Sequence, residues 1–544
     1  MEKIIRFEDY AVNGEFAYTM SRAIAAAKAE GATRIDIPTG VYKITPDWCA
    51  EKSVCISNHG WNGPHRFIAL IEDMADLTLD FHGSTLDCEG IITPFAILRS
   101  RNISIENVTL DNPNTGMIEA RVLGQREDGG IELEVFAGRS VFALKDERLY
   151  YKFHENSLFC CGTNIEFNPA GEIEAGTGDV TMGTWLGDMR FVETEEGHLL
   201  AYGAKRVPPV GNILVISATR RLGSGVFCEE SCGITCKNVI VNGCFGMGFI
   251  AQMCSDIHLD NFSSVRAEGR YHAADADATH FVNCSGKVLV ENCLFEGMLD
   301  DALNIHGIYT RIVGKGEKEL LVREMHNQAT GIRIYRPGDR VQALKPAPLI
   351  PYAELTVRTV EYINGEIIRL TFEESVEGIE VGDDIENISH ETDLVFRNNT
   401  VRNNRARGML IANRGTTVIE NCYFHTSGTA VKFESDGEYW FESGGTTDVV
   451  IRNNKFDGCK HGGWGTAVIE CQARRETLEG KYFHQAIRVL DNEFIMYNKR
   501  VCLIDNVGEF VFEGNTVTPT EEGLELIVRH NATARVQNGV EISE

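Results

Sequence analysis

The feature that most restricts the fold of this chain is a short motif that recurs along it. Two apolar residues at alternate positions precede an Asn, and another apolar residue follows three positions after it. Alternation of this kind indicates β-strand rather than helix. A weaker copy lies at Asn261, and the last two copies have Asp491 and Gly514 in place of the Asn. The clear copies are ISIENVTL at Asn107, ITCKNVIV at Asn238, VLVENCLF at Asn292, LVFRNNTV at Asn398, TVIENCYF at Asn421 and VVIRNNKF at Asn453.

The spacing of these motifs predicts how the strands stack. Neighbouring copies are 23 residues apart in three places and 31 or 32 apart in two others, so a unit of about 23 residues carries loops of variable length. A short strand-rich unit with an Asn at its corner is typical of a parallel β-helix, in which each turn of chain stacks on the last and the Asn side chains form a ladder. The alternative is an antiparallel sandwich with chance Asn residues. It is disfavoured because Asn-Gly hairpin turns are rare in these units.

Two long gaps and the N-terminus complete the predicted architecture. The motif is absent for 131 residues after Asn107 and for 106 residues after Asn292, where short strands and Gly turns indicate antiparallel β units. An Ala-rich segment ending near Gly31 predicts a helix that covers the open end of the β-helix. The expected fold class is therefore all-β: a right-handed parallel β-helix of the pectate-lyase type with an N-terminal capping helix and two inserted, barrel-like antiparallel β units.

The same landmarks divide the chain into five expected segments. The cap and first turns occupy 1–112, the first insert 113–212, a β-helix segment with acidic turns 213–309, the second insert 310–388, and the remaining turns 389–544.

Composition narrows the range of partners and the cellular location. The net charge of −27 argues against nucleic acid, anionic membranes and polyanionic substrates. No apolar run approaches the ~20 residues of a membrane span. The start, MEKIIRFEDYAVNG, has no signal-peptide pattern, so we expect a cytoplasmic protein, or an exported one if a signal was removed. Sixteen Cys, many inside strand-like runs, fit buried free thiols better than a disulfide framework.

Acidic residues interrupt the second strand of two consecutive units. ADADATHF and GMLDDALNIHG, about twenty residues apart, place acids, His and Asn in otherwise apolar runs. The repeat register puts Asp277 over Asp301 and His280 over Asn304. Turns of a β-helix lie about 4.8 Å apart. We therefore expect Asp277, Asp300 and Asp301 to cluster; strict alternation would point Asp277 and Asp301 inward, but corners break alternation.

Clustered carboxylates of this kind suit acid–base chemistry. They shift each other's pKa values apart, so that one stays ionised while another keeps its proton. Glycoside hydrolysis needs such a pair, and their separation, about 5 Å for retention and about 6.5–9.5 Å for inversion, decides the stereochemistry. The alternatives are acids that cap backbone N–H groups at corners or that bind Ca²⁺. Candidate substrate-binding residues near these acids or in the same strand register are Arg270, His272, Asp275, His280, Asn283, Asn304, His306, Glu434 and Trp440.

Together these motifs resemble glycoside hydrolase family 110, the α-1,3-galactosidases. The resemblance rests on the helix followed by IPTGVY, the Asn-bearing turns, DADATHFVNC and FEGMLDDALNIHG, and it spans almost the whole chain. It implies exo-removal of terminal α-1,3-linked galactose from blood group B or linear α-Gal glycans, with inversion and with no metal or organic cofactor. The family's catalytic acids carry over to Asp277, Asp300 and Asp301, and we take Asp301 as the acid and the other two as handling water. A galactose-terminated glycan is the implied partner, and a homodimer is possible.

Two other functions stay open at this point. A polysaccharide lyase or uronate-acting enzyme needs Lys or Arg to neutralise a substrate carboxylate, and the acidic motifs contain neither. A non-catalytic β-helix could use the same acids and aromatic residues to bind a glycan without cleaving it, because β-helices host many functions.

Overall fold

The protein is a parallel β-helix with two inserted units, as the repeat predicts. The computed structural model describes residues 3–136, 138, 141–154, 157–218, 221–472, 480–537 and 542–543. Its largest sheet, here the Asn-corner sheet, runs along the β-helix on both sides of the Asn positions. Its twenty strands are Ile4–Arg6, Arg34–Asp36, Val41–Ile44, Ala75–Cys88, Arg101–Asp111, Cys232–Val241, Ser255–Val265, Ser285–Glu291, Leu294–Glu296, Thr392–Arg397, Thr400–Arg402, Thr416–Glu420, Tyr423–His425, Asp448–Arg452, Lys455–Asp457, His484–Leu490, Glu493–Ile495, Val507–Glu513, Thr516–Thr518 and Thr533–Val536.

A second parallel sheet, here the site sheet, forms the face that carries the acidic motifs. Two of its members pair antiparallel to it: Ala50–Cys55, beside the first strand, and Glu442–Ser443, beside the strand that begins at Leu303. The parallel strands are Asn62–Glu72, Thr93–Leu98, Val226–Glu229, Phe249–Gln252, Thr279–Val282, Leu303–Lys315, Met409–Ile411, Val431–Phe433, Ile469–Cys471, Arg500–Asp505, Glu525–Arg529 and Ile542–Ser543.

The backbone conformation at the corners explains why Asn recurs. All seven Asn of the repeat adopt a left-handed conformation, with φ between 53° and 59°. Asn, Asp and Gly tolerate this region better than other residues. Asp491 (φ 55°) and Gly514 (φ 70°) have the same conformation, so these two departures from the motif meet the same backbone requirement.

Asn side chains stack in two separate ladders. On the outside, the Asn238 amide donates to Asn107 Oδ1 at 2.8 Å and the Asn261 amide donates to Asn238 Oδ1 at 2.9 Å. A buried ladder lies one residue further along the chain, where Asn492 Nδ2 donates to Asn515 Oδ1 at 3.0 Å. Each amide satisfies a group in the adjacent turn, so the side chains fix the stacking register.

The interior of the β-helix is filled by aliphatic and aromatic side chains and by thiols. Phe456 stacks on Phe424 with ring centroids 5.1 Å apart and on Phe494 at 4.7 Å, one ring per turn. All sixteen Cys carry free thiols, as expected. Burial raises the pKa of Cys236 to about 12, so this thiol is a packing group rather than a nucleophile.

Helix α1, Phe16–Glu30, closes the N-terminal end. It ends where Gly31 adopts a left-handed conformation (φ 65°) and donates its N–H to the Ala27 carbonyl. Its apolar face, which includes Met20 and Ala23, is buried in the main core. Three short 3₁₀ helices, Phe7–Tyr10, Pro46–Trp48 and Leu186–Asp188, are the other helical elements among the described residues. Within that part of the chain, no helix is both long and apolar enough to cross a membrane.

Both inserted units are antiparallel. The first combines a six-stranded sheet with a three-stranded one. The second is a closed six-stranded barrel that shares the strand Leu303–Lys315 with the site sheet. The strand of the second acidic turn therefore continues into the barrel. The first insert consists of Met117–Gln125, Ile131–Val135, Asn164–Phe167, Arg190–Glu193, Leu199–Tyr202 and Ile213–Ser217, with Phe142–Lys145, Arg148–His154 and Ser157–Cys160 in the smaller sheet; the barrel adds Glu319–Glu324, Arg340–Leu344, Pro351–Tyr362, Ile367–Phe372 and Asp384–Asn387.

Just before the strands of the site sheet, the backbones of successive turns come so close together that glycine is required. A Cβ on Gly408 would lie 2.4 Å from the Ala430 carbonyl oxygen of the next turn. We expect Gly408→Ala to lower the free energy of unfolding by about 1–3 kcal/mol, because the two backbones must separate. Gly162→Ala is the control, since nothing lies within 4 Å of a Cβ there. Urea denaturation measures both; equal stabilities of the two variants would contradict the packing argument.

Candidate active site

The acidic motifs open into a cavity of about 760 Å³ on the site sheet, here the central cavity. Its floor is formed by the acidic turns, and loops from the second insert and from the segment after Phe433 line its walls. The lining residues are Asn58, Arg221, Asp277, His280, Asp300, Asn304, Pro346, Ala347, Leu349, Arg405, Ala406, Arg407, Leu410, Lys432, Glu434, Ser435, Asp436, Gly437, Glu438, Tyr439, Trp440, Glu442, Trp464 and Gly465.

The predicted register of the acidic turns is confirmed. His280 pairs with Asn304 and Phe281 with Ile305, so Asp277 and Asp301 occupy equivalent positions in adjacent turns. An oxygen from each of Asp277, Asp300 and Asp301 lies within 4.8 Å of the others. Three buried carboxylates at this range cannot all behave as ordinary surface acids.

Asp300 is held as a carboxylate by three arginines. Its Oδ2 accepts from Arg221 at 2.8 Å, and its Oδ1 lies 3.0 Å from an Arg405 guanidinium nitrogen; Arg407 is 3.7 Å away. Burial alone would raise the pKa of Asp300, but the charges of Arg405, Arg221 and Arg407 outweigh it and hold the pKa below its usual value. Asp300 is therefore ionised at neutral pH.

Asp277 has the opposite tendency. It is buried, and no arginine among the described residues contacts it directly, so the desolvation of its carboxyl group is largely uncompensated. Burial, reinforced by the nearby Asp300 carboxylate, raises the pKa of Asp277 to about 7. One oxygen accepts the Asp301 N–H at 3.1 Å, and the other lies 2.6 Å from His280 Nδ1. Asp277 and Asp300 are thus a pair of cavity-lining carboxyl groups with pKa values pushed apart.

Asp301 lies behind this pair. Its side chain has no exposed surface, and Arg407 occupies both of its oxygens through Nε, Nη2 and the backbone N–H, at 2.9–3.0 Å. Burial and the two neighbouring carboxylates raise the pKa of Asp301 against the opposing charge of Arg407. Asp301 does not line the cavity, so this geometry does not support the expectation that it is the proton donor. Its carboxyl group instead holds the Arg407 side chain in position.

Four of the predicted substrate-binding residues line the central cavity: His280, Asn304, Glu434 and Trp440. Glu434 forms an ion pair with Lys432. Trp440 is 40% exposed, and its ring centroid lies 4.6 Å from that of His326 in the second insert. An accessible aromatic surface with charged neighbours is the combination that binds sugar rings.

The other five predicted residues lie outside the central cavity. Asn283 and His306 are buried behind it and line a separate small cavity. Arg270, His272 and Asp275 lie in a second polar region at the junction with the first insert, and their contact with substrate stays a prediction. There, His272 Nδ1 lies 2.8 Å from Glu119 of the first insert, and Thr115 bonds both His272 and Asp275. These polar groups connect the first insert to the β-helix.

Several cavity residues were not anticipated. Arg221, Arg405 and Arg407 supply positive charge that the acidic motifs lack, and Asn58 donates to Glu442 at 3.0 Å. Arg407 could have been found from the repeat, because Leu303 pairs with Met409 in the next turn. That register places Arg407 two residues before its strand, directly over Asp301. Arg221 and Asn58 come from irregular loops, where the repeat predicts nothing.

The three acids also have the spacing that a divalent cation could bridge. Arginines already occupy oxygens of Asp300 and Asp301 at ion-pair distance. The positive charge that a cation would supply is thus provided by protein side chains.

The fold and the site together define a class: a β-helix protein with the paired carboxyl groups of a glycoside hydrolase. Comparison with known proteins agrees with this class. Residues 360–540 match the family model described as right handed beta helix region, and residues 319–385 match GLAA-B beta-barrel domain II, which covers most of the closed barrel.

Curated relatives identify the family. Alpha-1,3-galactosidase B of Phocaeicola vulgatus is 30% identical over 526 residues, covering 92% of this chain and 88% of the relative. Alpha-1,3-galactosidase B of Parabacteroides distasonis is 31% identical over 518 residues, covering 90% and 82%. Alpha-1,3-galactosidase A of Bacteroides fragilis is 29% identical over 523 residues, covering 92% and 84%. The chain belongs to the α-1,3-galactosidase family, glycoside hydrolase family 110.

Proposed function

We propose that the protein is an exo-acting glycosidase that hydrolyses terminal α-1,3-linked galactose from oligosaccharides and glycoconjugates. The observation that carries the proposal is the Asp277–Asp300 pair in the central cavity, where burial and the Asp300 carboxylate raise the pKa of Asp277 to about 7 while the neighbouring arginines hold the pKa of Asp300 below its usual value. Both line a cavity large enough for a sugar and part of its aglycone. Family membership supplies the linkage and the sugar.

In this mechanism Asp277 is the general acid and Asp300 the general base. Asp277 donates its proton to the glycosidic oxygen as the bond to the anomeric carbon breaks. Asp300 accepts a proton from the water that attacks this carbon. Arg221 and Arg405 orient the Asp300 carboxylate, while the Asp301–Arg407 pair lies beneath both acids. The cycle closes when Asp300 releases its proton and Asp277 regains one.

We propose inversion as the stereochemical outcome, following the family resemblance. The nearest oxygens of the acids lie within 4.8 Å, which by itself is closer to the separation found in retaining enzymes. Asp300 Oδ2 accepts a hydrogen bond from Arg221, and Oδ1, at ion-pair distance from Arg405, has no hydrogen-bond donor among the described residues and is left to accept one from water, which favours a role in positioning water over direct attack on the sugar. The anomeric configuration of the first product therefore decides between the two outcomes.

Proton NMR of galactose release from an α-1,3-galactobioside tests both parts of the proposal. We expect β-galactose to appear first and then to mutarotate, because water attacks the face opposite to the leaving group. α-Galactose as the first product would contradict inversion but not hydrolysis. The α-1,4 and α-1,6 galactobiosides are the matched controls; release from neither is expected, and no release from any of the three would overturn the proposed function.

A uronate-acting enzyme is the second candidate, because the structure brings three arginines to the acids although the acidic motifs contain none. All three are in contact with Asp300, and Arg407 also holds Asp301. They thus neutralise protein carboxylates rather than a substrate carboxylate. A rise in absorbance from unsaturated product on pectin would favour this candidate instead.

For the partner, we propose a galactose-terminated glycan, and neither nucleic acid nor membrane, on the net charge of −27. A homodimer and a cytoplasmic location stay predictions.

A further inference from the structure

A chain of hydrogen bonds leads away from Asp277 into the protein. Asp277 Oδ2 lies 2.6 Å from His280 Nδ1, and His280 Nε2 lies 3.0 Å from His306 Nε2. His306 Nδ1 lies 2.7 Å from the Gly307 carbonyl oxygen. His280 and His306 are both buried, so protein groups rather than bulk water determine which of these atoms carry protons.

The last partner in this series of hydrogen bonds, the Gly307 carbonyl oxygen, determines which atoms of His306, His280 and Asp277 carry protons. A carbonyl oxygen can only accept, so His306 Nδ1 carries a proton and donates it to Gly307. In a neutral His306 the other nitrogen, Nε2, is then an acceptor, and His280 must donate to it from its own Nε2. A neutral His280 protonated at Nε2 has a bare Nδ1, which can only accept. The remaining proton must therefore lie on Asp277 Oδ2.

We propose that His280 and His306 are positioning residues that keep the general acid Asp277 protonated by fixing the tautomers of both rings. This inference rests on the proposed role of Asp277 in hydrolysis. In an ordinary Asp–His pair the ring donates to an ionised carboxylate and lowers its pKa; here the carbonyl of Gly307 reverses the direction of donation. Asp277 is held in its protonated form, and its Oδ2–H must leave His280 Nδ1 for the glycosidic oxygen when a substrate occupies the central cavity.

In the competing arrangement the proton of Asp277 is transferred through His280, so that His306 carries the additional proton. Asp277 would then be ionised and His306 positively charged. That arrangement separates two buried charges, whereas the neutral chain contains none. Glu442 lies 3.4 Å from His306 Nε2, and burial lowers the pKa of the intervening His280 well below its ordinary value although the Glu442 charge opposes this shift. Other charged or titratable groups that face Asp277 or the two rings are Asp300, Asp301, Arg221, Arg407 and His59.

His306→Phe tests the proposal through the pH profile of kcat/KM. Without an acceptor at position 306, His280 is free to adopt the other tautomer and to donate from Nδ1 to the Asp277 carboxylate. That donation lowers the pKa of the acid. We expect the basic limb of the profile, near pH 7 in the natural protein, to move down by about one pH unit, with about a tenfold loss of rate above it.

His484→Phe is the matched control. His484 is also buried on the β-helix and bonds Thr446, and it packs against Phe433 and Phe483 away from the acids. We expect its basic limb to coincide with that of the natural protein. A His306→Phe limb that coincides with that of His484→Phe would overturn the proposal, since a purely structural role of His306 would lower the rate without moving the limb.

Neutron diffraction on deuterium-exchanged crystals gives a second reading that needs neither a variant nor substrate. We expect deuterium on Asp277 Oδ2, on His280 Nε2 and on His306 Nδ1. Deuterium on His280 Nδ1 would overturn the proposal. The two failures are distinguishable: absence of galactose release by the natural protein contradicts the proposed function, while the neutron map decides the tautomers in either case.

Discussion

Replacement of Asp277 by Asn is expected to lower kcat/KM on an α-1,3-galactobioside by about 10³–10⁴-fold, because a general acid contributes about 10²–10⁴-fold and the sugar leaving group is poor. The fold should survive, since Asn is nearly isosteric and the position is adapted to a neutral side chain. Circular dichroism and the urea midpoint verify that the variant is folded.

The identity of the leaving group separates the acid from the base. An aryl α-galactoside with an acidic phenol departs without protonation, so Asp277→Asn should retain much more of its activity on that substrate than on the disaccharide. Asp300→Asn should lose a similar factor on both substrates, because water still needs activation in each case. Rates of galactose release on the two substrates measure this contrast.

Asp393→Asn is the control for both substitutions. Asp393 is exposed on a turn of the Asn-corner sheet, where it accepts from Thr416, and its replacement should leave both rates unchanged. If Asp300→Asn were the variant rescued by the aryl substrate, the acid and base roles would have to be exchanged. If Asp301→Asn alone showed this rescue, the expectation from sequence that Asp301 is the acid would be restored.

The β-helix itself could be predicted because one local backbone requirement repeats. Each corner needs a left-handed residue, and Asn, Asp and Gly meet that need, so the motif at Asn238 recurs as Asp491 and Gly514. Once the period was known, the alignment of His280 with Asn304 followed by counting, and the strand pairing confirms it. Because the repeat is regular, residues one period apart in the sequence lie in adjacent turns, and the cluster of acids could therefore be predicted from the sequence.

The rest of the site depends on chain segments that the repeat does not position. Arg221 is 79 residues from Asp300 and enters from an irregular loop, and Glu442 reaches His306 from the short antiparallel strand Glu442–Ser443. Side-chain direction at corners is also not given by strand alternation. Asp277 and Asp301 are equivalent by register, yet one lines the cavity and the other is covered by Arg407.

The largest effect on stability is expected from Arg407→Met. Asp301 has no exposed side-chain surface and takes three donors from Arg407, so the substitution leaves a buried carboxyl group with one backbone N–H. Breaking a buried ion pair from one side typically costs about 3–5 kcal/mol. We expect a loss of this size in the free energy of unfolding at pH 9, above the raised pKa of Asp301, measured by urea denaturation.

The loss should grow above about pH 8, which distinguishes it from simple loss of packing. Burial already raises the pKa of Asp301, and removal of the opposing Arg407 charge raises it further. A raised pKa in the folded state gives stability that is complete below the unfolded value of about 4 and decreases as pH rises from there toward the folded value. Because the folded pKa of Asp301 is about 8 in the natural protein and higher in Arg407→Met, both proteins should lose stability in parallel between about pH 4 and 8, and the difference between them should be larger at pH 9 than at pH 7.

Two controls make this result interpretable. Arg452→Met removes an arginine that is half exposed and pairs with Glu420, and it should cost at most about 1 kcal/mol with little pH dependence between 5 and 8. The double variant Asp301→Asn with Arg407→Met removes both charges and should recover much of the loss, because no unpaired buried charge remains. A double variant as unstable as Arg407→Met alone would show that Arg407 stabilises the turn by packing, and the Asp301–Arg407 ion pair would lose its assigned role beneath the two cavity-lining acids.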